Sequence, residues 1–270
     1  MEYFDNLDGL NDFIQTYFRK GTATNNYFLA DSYLKHIENK KLGYVATQEN
    51  AVMLLEKHDF YQLYYFINNF AADLPILDDR PVVMEIIYRG EKNKPITIIN
   101  YWASLGFKLH LTRDNMIANI EKHLEDSNPV YELNLKYAET RTELLYIENL
   151  LATTLDKYTG DLLTTDDLNR FLENRNFICA TYKGELAGVL QFEIKNKVIW
   201  LGHIAVDEHF RGKGIAKELV KKYIADNCSE GYTRFQLWVI QENVGALNLY
   251  RKFGFVYGGK TTTSMLKMNS

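Results

Sequence analysis

A chain of 270 residues is long for one domain and fits two of ordinary size. Its 46% apolar content supplies a sizeable core, while 31 basic against 35 acidic side chains leave a net charge of −4, without the basic excess that nucleic-acid binding usually brings. Cys179 and Cys228 are isolated, no apolar run reaches a membrane span, and MEYFDNLDGL lacks the basic and apolar regions of a secretory leader, so the expectation is a cytoplasmic protein with no metal, no membrane and no nucleic acid.

In the first half, HIENK (36–40) closes a helix-like stretch, and YVATQENAVMLLEKH (44–58) reads as strand, polar turn, strand. FYQLYYFINNF (60–70) alternates as an aromatic strand, whose tyrosines belong either to a core or to the wall of a cleft. YWASLGF (101–107) ends a helix at glycine and enters another strand. The polar, proline-containing EDSNPV (125–130) is the expected boundary, giving domains 1–128 and 129–270.

Beyond it, YELNLKYA (131–138) alternates as a strand, and 140–158 is helical in period. TTDDLNRFLENR (164–175) opens with capping residues. FICATY and LAGVLQFEI form a hairpin through Lys183, Gly184 and Glu185. VIWLGHIAV (198–206) is a strand, followed by a glycine loop and a helix from about Ile215 to Asn227. RFQLWVI (234–240) is a strand, 244–253 a helix stopped by Gly254, and FVYGGKTTTSMLKM a last strand. Alternating helices and strands with hairpins predict α/β architecture with a mixed sheet.

The halves share a plan. Aligning Ala46 with Thr181 gives an offset of 135 residues, and aligning Gly106 with Gly254 gives 148, so the second copy carries 13 more residues between these landmarks. That interval contains FRGKGIAKELV (210–220). Glycines 212 and 214 strip Cβ atoms from a loop that opens a helix, where free N–H groups and the helix dipole favour an anion such as a pyrophosphate. Arg211, Lys213 and Lys217 add positive charge. A P-loop would need Lys-Ser/Thr after the last glycine, and Ile215 stands there. A dinucleotide fingerprint would need a small residue at Lys217.

IAVDEHFRGKGIAKELV, followed by LWVIQENVGALNLYRKFGF (237–255), resembles motifs A and B of the GNAT superfamily of acyl-CoA-dependent N-acyltransferases over about residues 130–270. The first half resembles a degenerate copy, as in tandem GNAT proteins: it lacks the loop and has Trp102 where the second half has Tyr250. The resemblance implies two GNAT-like domains, each a mixed, mostly antiparallel twisted sheet flanked by helices. It also implies acetyl-CoA as co-substrate without metal, and a small-molecule or peptide amine as acceptor. Amides of Gly212, Lys213, Gly214, Ile215 and Ala216, with Arg211 and Lys217, would hold the pyrophosphate. The backbone of Ile204, Ala205 and Val206 would pair with the pantetheine arm and polarise the thioester carbonyl. Asn243 and Ala246 would contact the same arm, although Asn243 also suits an ordinary helix cap. Tyr250 would protonate the departing thiolate.

For the base, the family often places Glu or His four or six residues before the Val206 position. Gly202 and Trp200 stand there, so the candidates are His203, on the opposite side of the strand unless a bulge re-aims it, Glu193 on the preceding strand, or a chain of water in place of either. A monomer or homodimer is expected. A catalytically inactive acyl-CoA-binding regulatory or interaction protein is the alternative.

Overall fold

The repeat read in the sequence sets the order of elements in a computed structural model, which describes residues 1–27, 33–72, 74, 80–121 and 130–269. Contacts divide the chain into two units, Met1–Arg113 with Lys260–Ser270, and Asp114–Gly259. The boundary expected at 128/129 lies outside the described residues.

The elements in chain order are β1 (Glu2–Tyr3), α1 (Leu7–Tyr17), α2 (Tyr33–Glu38), β2 (Leu42–Ala46), β3 (Ala51–Glu56), β4 (Tyr61–Phe66), β5 (Val82–Tyr88), α3 (Ile96–Ser104) and β6 (Lys108–Asn119). They continue as β7 (Leu133–Tyr137), α4 (Arg141–Thr154), α5 (Thr165–Glu173), β8 (Phe177–Tyr182), β9 (Glu185–Lys195), β10 (Val198–Val206), α6 (Ile215–Ser229), β11 (Arg234–Ile240), α7 (Val244–Lys252) and β12 (Val256–Lys267). β2 to β5, α3 and β6 thus recur as β8 to β11, α7 and β12. Among the described residues, the helix α6 that joins β10 to β11 has no counterpart between β4 and β5, which is where the 13-residue deficit falls. No helix among the described residues is long and apolar enough to cross a membrane.

Two strands serve both units. In the first unit the strand order is β1-β2-β3-β4-β5-β12-β6, with the last part of β12 antiparallel to β5 from Thr261 opposite Tyr88 to Lys267 opposite Val82. In the second it is β12-β6-β11-β10-β9-β8-β7, so that the last part of β6 lies beside β11. There Asn115 Nδ2 donates to Leu237 O at 3.1 Å, and Ile120 N to Thr233 O at 2.9 Å.

Both units bury their sheet on two faces, so their central strands read as apolar runs. In the first unit, Tyr64 and Phe66 of β4 join the core under α1 and α2, while Leu63 and Tyr65 join the core under α3. The tyrosine-rich strand is therefore core. In the second unit, β9 and β10 separate a cluster built on α6 and α7 (Leu219, Tyr223, Leu237, Tyr250) from one built on α4 and α5 (Leu144, Ile147, Leu168, Phe171).

α4 begins with a reciprocal cap. Glu143 N donates to Thr140 Oγ1 at 3.2 Å, and the Glu143 carboxylate takes the amides of Glu139 and Thr140, each at 2.9 Å, with Lys136 Nζ at 2.7 Å. Burial alone would raise the pKa of Glu143; these donors outweigh it and hold it at about 2, against the usual 4.5. Because the folded value is depressed, its stabilisation is fully present above about pH 4.5 and is lost as pH falls towards 2. Glu143→Gln is expected to cost about 1–3 kcal/mol at pH 7 and roughly half of that or less at pH 3, read by urea denaturation at both values.

Candidate functional site

In the second unit, β10 pairs with β9 along its full length, but with β11 only at Ile199, Trp200 and Leu201, opposite Phe235, Gln236 and Leu237. Beyond Leu201 no strand among the described residues pairs with β10 on its β11 side. Ile204, Ala205 and Val206 stand on this divergent stretch, which leads straight into the glycine loop.

Asp207 starts the loop. Its N–H donates to Ala187 O at 3.0 Å and its carboxylate accepts from His209 N at 3.0 Å, with the His209 ring nitrogen at 2.8 Å. His209 is otherwise in solvent. Gly212 and Gly214 have φ of 77° and 79°, a left-handed backbone that L side chains adopt at a cost of roughly 1–2 kcal/mol. A Cβ at Gly212 would meet nothing within 4 Å, and one at Gly214 only Val130 Cγ2 at 3.6 Å. Backbone shape therefore demands these glycines, and the space before them is left clear.

Glu218 N is the first amide of α6 to close a helical bond, onto Gly214 O at 3.2 Å. The amides of Gly212, Lys213, Gly214, Ile215 and Ala216 make no backbone hydrogen bond among the described residues. Around them, Arg211 Nε donates to Val206 O at 3.2 Å, Lys213 Nζ sits 5.6 Å from the centre of the Tyr182 ring, and Lys217 Nζ is 3.8 Å from Glu218 Oε1. A row of donors at a helix start with cationic side chains beside it is suited to a polyanion. A ligand strand pairing at Val206 would compete with Arg211 for that carbonyl.

α7 follows β11. Asn243 is its cap, accepting from Ala246 N at 3.0 Å through Oδ1, which leaves the carboxamide nitrogen for another partner. Two turns on, Tyr250 is 3% exposed, with its ring 5.8 Å from that of Phe255. Burial raises its pKa well above the usual phenol value, so it keeps its proton at neutral pH and is available as a donor.

β10 carries the bulge that the sequence left open. Leu201 faces Phe192 and His203 faces Gln191, so Gly202 is the extra residue, and a Cβ there would collide with the Gln191 carboxamide. The bulge does not turn His203 towards the Val206 side. It re-phases the strand so that Ile199 and Leu201, like Ile204 and Val206, pack on the α6 side, while Ala205 packs under α4 and α5. His203, two residues before Ala205, shares that second face and is half-buried. Glu193, opposite Trp200, is held in ion pairs: Oε1 takes Arg170 Nη1 at 3.0 Å and Oε2 takes Lys195 Nζ at 2.7 Å.

Tyr146 of α4 escaped the sequence reading, because a helical tyrosine in an apolar period looks like core. Its hydroxyl is buried without a hydrogen-bond partner among the described residues, and burial and the nearby Asp207 carboxylate raise its pKa. A separate cleft of about 370 Å³, lined by Asp114, Leu247, Arg251, Phe255 and Tyr257 among others, contains none of the loop residues.

Residues 144–255 match the family model described as acetyltransferase (GNAT) family. Over 89 residues the chain is 32% identical to the spermine/spermidine N(1)-acetyltransferase of Bacillus subtilis (strain 168), covering 29% of this chain and 58% of that protein. Over 70 residues it is 39% identical to N-acetyltransferase 8B of Rattus norvegicus, covering 26% and 32%. The chain thus spans little more than half the length of the first of these relatives. In fold it is similar to a GCN5-related N-acetyltransferase from Sphaerobacter thermophilus, with a TM-score of 0.61 at 12% identity over 81% of this chain and 76% of that one. It is also similar to a tandem GNAT protein from the clavulanic acid biosynthesis pathway, with a TM-score of 0.54 at 11% identity over 85% and 83%.

Proposed function

Because residues 144–255 belong to the acetyltransferase (GNAT) family, we propose that the protein moves an acetyl group from acetyl-CoA to a primary amine of a small molecule or peptide. The observation that carries this reading is the run of amides from Gly212 to Ala216, which make no backbone hydrogen bond among the described residues, where β10 parts from β11.

The loop amides, with Arg211, Lys213 and Lys217, bind the pyrophosphate, and the unpaired edge of β10 from Ile204 to Val206 aligns the pantetheine arm. An N–H on this edge donates to the thioester carbonyl as it becomes an oxyanion. The Asn243 carboxamide and the start of α7 at Ala246 flank the arm. The amine nitrogen forms a bond to the carbonyl carbon and the carbon–sulfur bond breaks; Tyr250 passes its proton to the leaving sulfur. The proton lost by the amine goes to His203, which lies on the α4 face, rather than to Glu193, whose carboxylate is held between Arg170 and Lys195. No covalent enzyme intermediate is required.

The acceptor class follows from charge. Between Glu139 and Glu173, the stretch that forms α4 and α5, eight acidic side chains stand against three basic ones. This suits a polycationic amine, and the relative named for spermine and spermidine acetylation fits that preference. Transfer of radiolabel from acetyl-CoA to a panel containing spermidine, a diamine, an amino acid and a lysine peptide tests the reading. Turnover is expected with the polyamine, slowed roughly 10²–10⁴-fold by Tyr250→Phe. Tight CoA binding with no turnover on any amine would establish instead the alternative, an acyl-CoA-binding regulator. That second reading is favoured by one observation: Gly202 and Trp200 offer no proton acceptor.

A further inference from the structure

The first unit contains a groove of the same design. β4 and β5 begin in parallel, with Tyr61 opposite Val82 and Gln62 opposite Val83, and then part, as β10 parts from β11 after Leu201. Two strands that separate inside a fold leave backbone donors and acceptors facing the gap, and those groups need partners. In the second unit the partners expected are those of a ligand. In the first unit they come from the chain itself.

The segment from Thr22 to Asn26 runs into the gap. Ile67 N donates to Thr24 O at 2.7 Å, and Asn25 forms an antiparallel bridge with Phe66. Tyr65 N donates to Asn26 Oδ1 at 2.6 Å. The Nδ2 of the same carboxamide donates to Leu63 O on β4 at 3.1 Å and to Glu85 O on β5 at 3.0 Å, so one side chain joins both separating strands. Thr22 Oγ1 donates to Ile87 O at 3.3 Å, and Thr22 O accepts from the Tyr65 hydroxyl at 2.6 Å. Against Tyr65, with ring centres 5.6 Å apart, packs Trp102, fully buried at the position that aligns with Tyr250.

We propose that Thr22–Asn26 is a built-in occupant of this groove: a segment of the protein makes the hydrogen bonds that an acyl-CoA arm would make in the second unit, and closes the first unit to acyl-CoA. What the groove would otherwise hold rests on the acetyltransferase reading; its occupation by this segment does not. Covalent tethering keeps such an occupant at an effective concentration of about millimolar or more. A competing acyl-CoA would have to displace it without a glycine loop to hold its pyrophosphate.

Hydrogen exchange of the full-length protein, with and without 1 mM coenzyme A, tests this, together with native mass spectrometry of the same samples. The amides of Tyr65 and Ile67 are expected to exchange at least ~100-fold more slowly than in an unstructured chain, equally with and without coenzyme A. One coenzyme A per chain is expected, with new protection confined to the loop at Gly212–Ala216. Asn26→Ala is expected to speed exchange at Tyr65 about tenfold or more while leaving coenzyme A affinity within about twofold. Unprotected Tyr65 and Ile67 amides in the native protein, protection there that appears only with coenzyme A, or a second coenzyme A per chain would each overturn the proposal. If no coenzyme A binds at all, the acetyltransferase reading falls, while slow exchange at Tyr65 and Ile67 still supports the built-in occupant.

Discussion

Titrated with acetyl-CoA, the full-length protein is expected to take up one equivalent, and the Gly214→Asp variant none that calorimetry can detect. Two effects combine in that variant. The left-handed backbone at residue 214 costs any L side chain roughly 1–2 kcal/mol, and the new carboxylate stands among the amides that are to receive a pyrophosphate. The fold should survive, because a Cβ there meets only Val130 at 3.6 Å and an acidic residue at a helix start is electrostatically favoured. Gly214→Ala separates the terms: it carries the backbone strain without the charge, and is expected to weaken binding about tenfold or less. If Gly214→Asp binds as tightly as the native protein, the pyrophosphate is not held at this loop.

A fragment starting at residue 129 is expected to be insoluble or unfolded, whereas one starting at residue 114 should fold and bind acetyl-CoA with close to native affinity. The shorter fragment lacks the part of β6 that lies beside β11. It thereby loses the Asn115 bond to Leu237 O, the Gln241 bond to Asp114 at 3.0 Å, and the buried Met116 and Ala118. β11 would become a bare apolar edge, the kind of surface that templates aggregation. Comparing the two fragments by circular dichroism and by acetyl-CoA titration decides the matter. A soluble, binding-competent 129–270 fragment would show that β6 is dispensable to the second unit.

Much of this arrangement was legible because local signals agreed. The hairpin at Lys183–Gly184, the strand at 198–206 and the helix stop at Gly254 all sit where turn chemistry and periodicity put them. The glycine loop was legible for a sharper reason, since two left-handed positions at a helix start leave glycine as the residue that fits. Long-range pairing was not legible. β6 (KLHLTRDNMIAN) and β12 (VYGGKTTTSMLK) each carry a polar run in place of a sustained alternation, and nothing in either pattern says that the strand passes from one unit to the other. The Thr22–Asn26 segment has no strand period and takes its place through the Asn26 carboxamide together with bonds from Thr22 and Thr24. His203 lay between: an isolated glycine in a strand signals a bulge, but which side chains the bulge re-phases depends on the packing of both faces.

The sharing of β12 has a consequence for the order in which the molecule is made. β5 is complete at Tyr88, yet the residue that pairs with it, Thr261, is synthesised about 170 residues later, on the order of ten seconds or more at ordinary translation rates. The residues of the second unit, Asp114–Gly259, are all made before Thr261. The unit that begins to emerge first from the ribosome is therefore the one that must wait, holding an unfinished sheet edge exposed until a strand made after all of the second unit's residues pairs with β5.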